Sequence, residues 1–165
     1  MRLSPNFTYA ECVRSTTAEE HGIDNTPNAE QLSNMVYLCH NVLEPLRAYF
    51  GKPVKVNSMY RSIQTNRLIG GSRTSQHCKG EAVDCEIDGI PNKTIADWVS
   101  EHLTFDQIIL EFYNPNEGAN SGWVHISLRR NGGNRRNKMV ALKDGKTTKY
   151  KSIADFDPTN TYHDY

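Results

Sequence analysis

The chain has no net charge to spend on a polyanion: its 165 residues set 19 lysines and arginines against 19 aspartates and glutamates. That balance argues against a protein whose main work is binding phosphate backbones. No apolar run is long enough to span a bilayer. Residues 1–10 hold no apolar stretch of signal-peptide type. The expectation is synthesis in the cytoplasm without a signal peptide or a membrane partner, with any export by another route. Cysteine is sparse, at positions 12, 39, 78 and 85, and no two form a C-x-x-C pair, which argues against a cysteine zinc cage. Cys39 falls on a helical stripe and Cys85 on a strand's apolar face, so both read as buried free thiols. Cys78 adjoins His77 and stays open. Internal repeats and domain boundaries are also missing. The length suits one domain, placed at residues 1–153, with a polar tail over 154–165 that includes an exposed His163.

What is present concentrates in Ser75-Gln76-His77-Cys78-Lys79-Gly80-Glu81-Ala82-Val83-Asp84. It offers an imidazole and, seven residues on, a carboxylate, separated by a glycine that can turn the chain where other residues cannot. Residues 81–87 read as a strand with Val83, Cys85 and Ile87 on one face and Asp84 on the other. A histidine on a loop and an aspartate on the next strand can converge on one cation. A catalytic zinc site needs three protein ligands and an open position, so the rest of the chain must supply another ligand and a base.

The surrounding elements follow from periodicity and punctuation. Thr8 suits the cap of a short helix at 9–14, and residues 21–27 read as loop. Leu32, Val36, Cys39, Leu43, Leu46 and Phe50 give one buried stripe over a helix at 27–50, capped by Thr26, kinked at Pro45 and ended by Gly51, with His40 beside the stripe. A strand at 54–58 leads to Arg61, a residue as consistent with a functional role as with a surface ion pair, and then to a helix capped by Ser62 and ending near Ile69. Asn92 suits the cap of a helix at 93–103. Residues 107–112 and 123–128 read as strands around a loop at 113–122. Residues 139–142 and 147–150 read as a hairpin. Alternation puts Ile108, Leu110, Phe112, Val124, Ile126 and Leu128 on the core face with Val83, Cys85 and Ile87. The same alternation puts Asp84, Glu111 and His125 together on the opposite face. Residues 129–138 form a basic loop, read first as solvated.

Ser75-x-His77-x-x-Gly80-x-Ala82-x-Asp84, followed by Trp123-Val124-His125, resembles the zinc peptidases of bacterial cell-wall metabolism. These include D-alanyl-D-alanine carboxypeptidases and phage L-alanyl-D-glutamate endopeptidases, the endolysins. Leu43-Glu44-Pro45-Leu46-Arg47, then Val56-Asn57-Ser58-Met59-Tyr60-Arg61-Ser62 with Asn66 beyond, extend the likeness across residues 3–142. The resemblance implies an α+β fold, a small antiparallel sheet with helices packed on one face and the zinc site on the other. It implies one Zn²⁺ per chain held by His77, Asp84 and His125. Arg61 would hold substrate, with Ser75 and Trp123 as further substrate contacts. The substrate would be the stem peptides of peptidoglycan, cut by zinc-activated water, and the protein a monomer of phage or prophage type. Many members place the catalytic glutamate three residues before the last histidine ligand, where this chain has Gly122. The base is therefore expected at Glu111, on the zinc face, with Glu117 as the fallback. Two other readings stand beside this one. One is a non-catalytic zinc-containing binding protein of the same fold, as Hedgehog signalling domains are. The other is an envelope- or nucleic-acid-binding accessory protein acting through the 129–138 loop.

Overall fold

The computed structural model describes residues 1–154; the rest of the polar tail, with His163, lies outside the described residues. A short pair, β1 (Arg2–Ser4) and β2 (Phe7–Thr8), leads into α1 (Tyr9–Val13) and α2 (Thr16–Glu20). Helix α3 (Ala29–Leu38) runs through a π turn (Cys39–Leu43) into α4 (Glu44–Phe50). Then come β3 (Val54–Ser58), α5 (Ile63–Ile69), a 3-10 turn (Gln76–Lys79), β4 (Ala82–Ile87) and α6 (Asn92–His102). The chain closes with β5 (Gln107–Glu111), a 3-10 turn (Pro115–Glu117), β6 (Trp123–Ser127), β7 (Asn137–Asp144) and β8 (Thr147–Ser152). None of the described helices is long and apolar enough to cross a membrane.

Strands β3 to β8 form one sheet in the order β3-β4-β6-β5-β7-β8. Val83, Cys85, Ile87, Ile108, Leu110, Val124 and Ile126 are buried on one face and share a core with Leu38, Val42, Leu43 and Leu46 of the long helix and Ile95 and Val99 of α6. Each such side chain contributes about 1.5–3 kcal/mol by leaving water, and this core seats the helices on one face while the other stays free. Cys12, Cys39 and Cys85 are buried free thiols, and Cys78 is half-buried.

The α+β class matches expectation, but the sheet is mixed: β5 and β7 pair in parallel, Gln107 opposite Asn137 through Glu111 opposite Ala141. The cause lies in the basic loop. Asp106 is fully buried just before β5. Arg135 reaches it with Nε at 3.1 Å, Nη2 at 2.8 Å and its main-chain N–H at 2.9 Å, and Arg129 lies 3.4 Å away. The Asn137 N–H then donates to the Asp106 carbonyl at 2.9 Å. A strand that leaves this anchor beside the start of β5 must run alongside it. Arg136 donates to the Leu103 and Ser100 carbonyls at the end of α6 and stacks over Phe105, and Arg130 donates to Asn34. The loop is therefore an internal clasp rather than a solvated run of charge.

Other differences are local. The long helix is capped by Asn28 through a capping box with Gln31, not by Thr26. Its break is a π turn in which the Glu44 N–H reaches the Cys39 carbonyl just before Pro45, whose missing N–H the wider turn accommodates. Gly51 ends it in the left-handed conformation, as its position suggests. Residues 16–20, read within an uninformative stretch, form a helix capped by Ser15. Asn92 does not cap α6; its amide donates to the Ser121 carbonyl and ties the helix to the 113–122 loop. Phe112 leaves the core face: it has φ 54° and sets its ring edge-on to Trp123 at 5.4 Å.

The Asp106 clasp is testable. Burial opposes ionisation of its carboxyl, yet the Arg135 bonds and the Arg129 charge hold it below the usual carboxylate range. Asp106→Asn should lower unfolding free energy in urea by about 2–3 kcal/mol at neutral pH, the scale of hydrogen bonds to a charged group. A lowered folded-state pKa gives stability that is present above the unfolded pKa of about 3.9 and is lost as pH falls further. The gap between parent and variant should therefore shrink below about pH 4; a gap independent of pH would show that charge is not what holds the clasp.

Candidate metal centre

Three elements converge on the free face of the sheet. Asp84 on β4 and His125 on β6 are direct antiparallel partners, and opposite residues in such a ladder have side chains close enough to touch. His77 comes from the 3-10 turn, whose start is capped by the Ser75 hydroxyl accepting the His77 N–H at 3.3 Å. The turn ends at Gly80 with φ +72°, where a β-carbon would stand 2.4 Å from the Gln31 carbonyl oxygen. A glycine is needed there because α3 presses on it. Gln31 and Asn34 of α3 donate to the Cys78 and Lys79 carbonyls and hold the turn against the helix.

The result is a compact donor set: one ligand atom each from His77, Asp84 and His125, all within 4.8 Å of one another. His77 Nδ1 lies 2.7 Å from the Met59 carbonyl oxygen. A carbonyl can only accept, so Nδ1 carries the proton and Nε2 keeps its lone pair. That Nε2 faces Asp84 Oδ2 at 3.3 Å, and His125 Nδ1 faces Asp84 Oδ1 at 3.0 Å. Burial lowers the His77 pKa and favours neutral imidazole. Burial resists the Asp84 charge, but the neighbouring His77 and His125 overcome it and hold the carboxyl well below its usual range. His125 Nδ1–H can donate to Asp84, but the bare His77 Nε2 and the ionised Asp84 oxygen, 3.3 Å apart, repel unless a cation lies between them. Two nitrogens and one oxygen in this arrangement suit Zn²⁺ with a position left open.

The other expected residues lie around this cluster. Glu111 on β5 is opposite Trp123 on β6, two positions along from His125, so it shares the metal face. Burial, then the Asp84 charge, push its carboxyl up to about 7 against the pull of His125, Trp123 and Arg61. Among the described residues the buried Trp123 indole N–H has no hydrogen-bond partner within bonding geometry, though it stands near enough to favour the charged form of Glu111. Arg61 is tied by its main-chain N–H to the His77 carbonyl at 3.2 Å. Among the described residues its buried Nε has no hydrogen-bond partner and its guanidinium makes no ion pair. Glu117 is exposed in the second 3-10 turn, takes a hydrogen bond from Asn114 at 3.3 Å and lines a cavity of about 220 Å³ with Phe112, Tyr113, Leu142 and Lys143. Gly122 has φ +63°, and a β-carbon there would stand 1.8 Å from the Glu111 carbonyl oxygen. No side chain fits at that position in this backbone. Sequence reasoning had no signal for the Met59 carbonyl, because a main-chain atom leaves no mark in residue identity. Gln31 and Asn34 were hidden among the polar positions of a scaffold helix.

Elemental analysis should find about one zinc per chain in the parent, the stoichiometry of a single three-ligand site, and none in Asp84→Ala. Adding zinc to metal-free parent should raise its Tm by mass action, and should leave the Tm of the variant where it was. Full metal occupancy in Asp84→Ala would remove Asp84 from the ligand set.

Comparison with known proteins agrees with this geometry. The family model described as Peptidase M15 matches residues 5–127, a span that contains His77, Asp84, Glu111 and His125. No curated protein matches the chain. Peptidase M15 proteins are zinc-dependent hydrolases acting on peptidoglycan. With a match over most of its length and a donor set built for one metal ion, the chain belongs to the Peptidase M15 family of zinc metallopeptidases.

Proposed function

We propose that this peptidase hydrolyses a peptide bond in peptidoglycan stem peptides with Glu111 as the proton-transferring base and Arg61 as the anchor for a substrate carboxylate. The observation that carries the reading is Arg61: beside the metal ligands, its buried Nε has no hydrogen-bond partner among the described residues. Leaving such a group without an anion is costly unless a ligand supplies one. A planar guanidinium grips a carboxylate with two parallel hydrogen bonds. A terminal D-alanine carboxylate and the side-chain carboxylate of a residue within the stem both satisfy it. The mass of the fragment released from muropeptides distinguishes carboxypeptidase from endopeptidase action.

Bound at His77, Asp84 and His125, zinc supplies a Lewis acid that lowers the pKa of water to about 7 and polarises a carbonyl. Glu111 takes the proton from the attacking water and delivers it to the departing amine nitrogen. Burial raises the Glu111 pKa, the direction that such a double task near neutral pH requires. Trp123, opposite Glu111 in the ladder, can donate its indole N–H to that carboxylate or to a substrate carbonyl. Ser75 keeps His77 in place, and its O–H is still available to a substrate.

Two measurements test the reading. Glu111→Gln keeps the shape and removes the base, so it should fold, keep its zinc and lose about 10²–10⁴-fold in rate, while Glu117→Gln stays near the parent. A dead Glu117→Gln beside an active Glu111→Gln would move the base to the 113–122 loop. Arg61→Ala should raise KM for stem peptides with zinc content unchanged, and Arg61→Lys should recover little because an ammonium cannot make the paired bonds. Parent-like kinetics in Arg61→Ala would leave that side chain without a part in binding.

A further inference from the structure

Among the described residues strand β8 is one of the two edges of the sheet, and every residue in it is exposed. Its one aromatic residue, Tyr150, stands on the metal face. The ladder makes this unambiguous: Trp123 pairs with Glu111, Glu111 with Ala141, and Ala141 with Tyr150. These residues form one row across β6, β5, β7 and β8. Neighbouring strands lie about 4.8 Å apart, so β8 runs about 10 Å from β5. The residue between Glu111 and Tyr150 is only a methyl group. Ala141 is fully buried although it lies on the free face, so its neighbours in the row lean over it. The Tyr150 phenol therefore extends over Ala141 toward Glu111 and keeps about half of its surface, 53 %, in solvent.

The surroundings of the hydroxyl agree. Burial raises its pKa first, then the charges of Glu111 and Asp84, while Arg61 lowers it. The phenol thus senses the base, a metal ligand and the substrate arginine together. Among the described residues, its hydroxyl has no hydrogen-bond partner of its own.

We propose that Tyr150 is a substrate-binding residue of this peptidase, its hydroxyl donating a hydrogen bond to a main-chain carbonyl of the peptide lying between the metal ligands and β8. Arg61 and Tyr150 then hold the peptide from two sides of the metal cluster, the first by a carboxylate and the second by its backbone. The assignment rests on the reading of the chain as a stem-peptide hydrolase. Tyr150 lies outside the matched span of residues 5–127, so the β7–β8 hairpin adds a wall to the site that the family match does not cover.

The test separates the hydroxyl from the ring. In zinc-loaded protein, Tyr150→Phe should raise KM for a synthetic stem peptide about tenfold, the scale of one lost hydrogen bond. Its kcat, zinc content and Tm should stay at parent values. Lys149→Ala, next on the strand and pointing to the other face, should match the parent throughout. Calorimetric titration of the same peptide into Glu111→Gln and into Glu111→Gln/Tyr150→Phe should show the same tenfold weakening without turnover. Unchanged KM and affinity, or a loss confined to kcat, overturns the role of Tyr150 while leaving the peptidase reading intact. A parent that neither binds nor cleaves stem peptides overturns both.

Discussion

An ionised carboxylate that faces two imidazole nitrogens on one side of a sheet is the constraint on which the rest of this protein depends. Asp84 and His125 meet because they are direct partners in the β4–β6 ladder, and His77 is brought to them by a turn that only a glycine can finish against α3. The Met59 carbonyl decides which nitrogen of His77 is left bare. A bare His77 nitrogen facing an ionised carboxylate favours a cation between them, so the folding of the sheet also prepares the metal site.

A second anchor, remote from the metal, shapes the open face. Buried Asp106 gathers Arg129 and Arg135 and starts β7 alongside β5. That clasp fixes the start of β7 beside the start of β5, and the β7–β8 hairpin follows alongside Glu111. The charges that make residues 129–138 look like a polyanion-binding loop are the same charges that hold the hairpin in place. Arg136 closes the arrangement by satisfying carbonyls at the end of α6.

The departure at Gly122 also has a steric origin. The chain before β6 passes so close to the Glu111 carbonyl that a β-carbon would overlap it. A carboxylate at that position would need a different backbone. Glu111, one strand over and on the same face, stands in a buried environment that raises its pKa to about 7. The same local crowding turns Phe112 out of the core and against Trp123.

Alternation of side chains along β4, β5 and β6 was enough to divide core residues from Asp84, Glu111 and His125, because a strand has only two faces and one of them must be apolar. Helix ends at Thr8, Gly51 and Ser62 were equally legible, since capping acts within a few residues. The parallel pairing of β5 with β7 was not, because it depends on an ion pair between residues 29 positions apart. Nor was the choice of Asn28 over Thr26 as a cap, or the unpartnered state of Arg61, which is a property of everything around it. Local sequence thus determined which side chains face the same way. Only the tertiary structure decided which strands are neighbours, and with it that Tyr150 on the last described strand shares a row with Glu111, because strand order is set by long-range packing that periodicity does not encode.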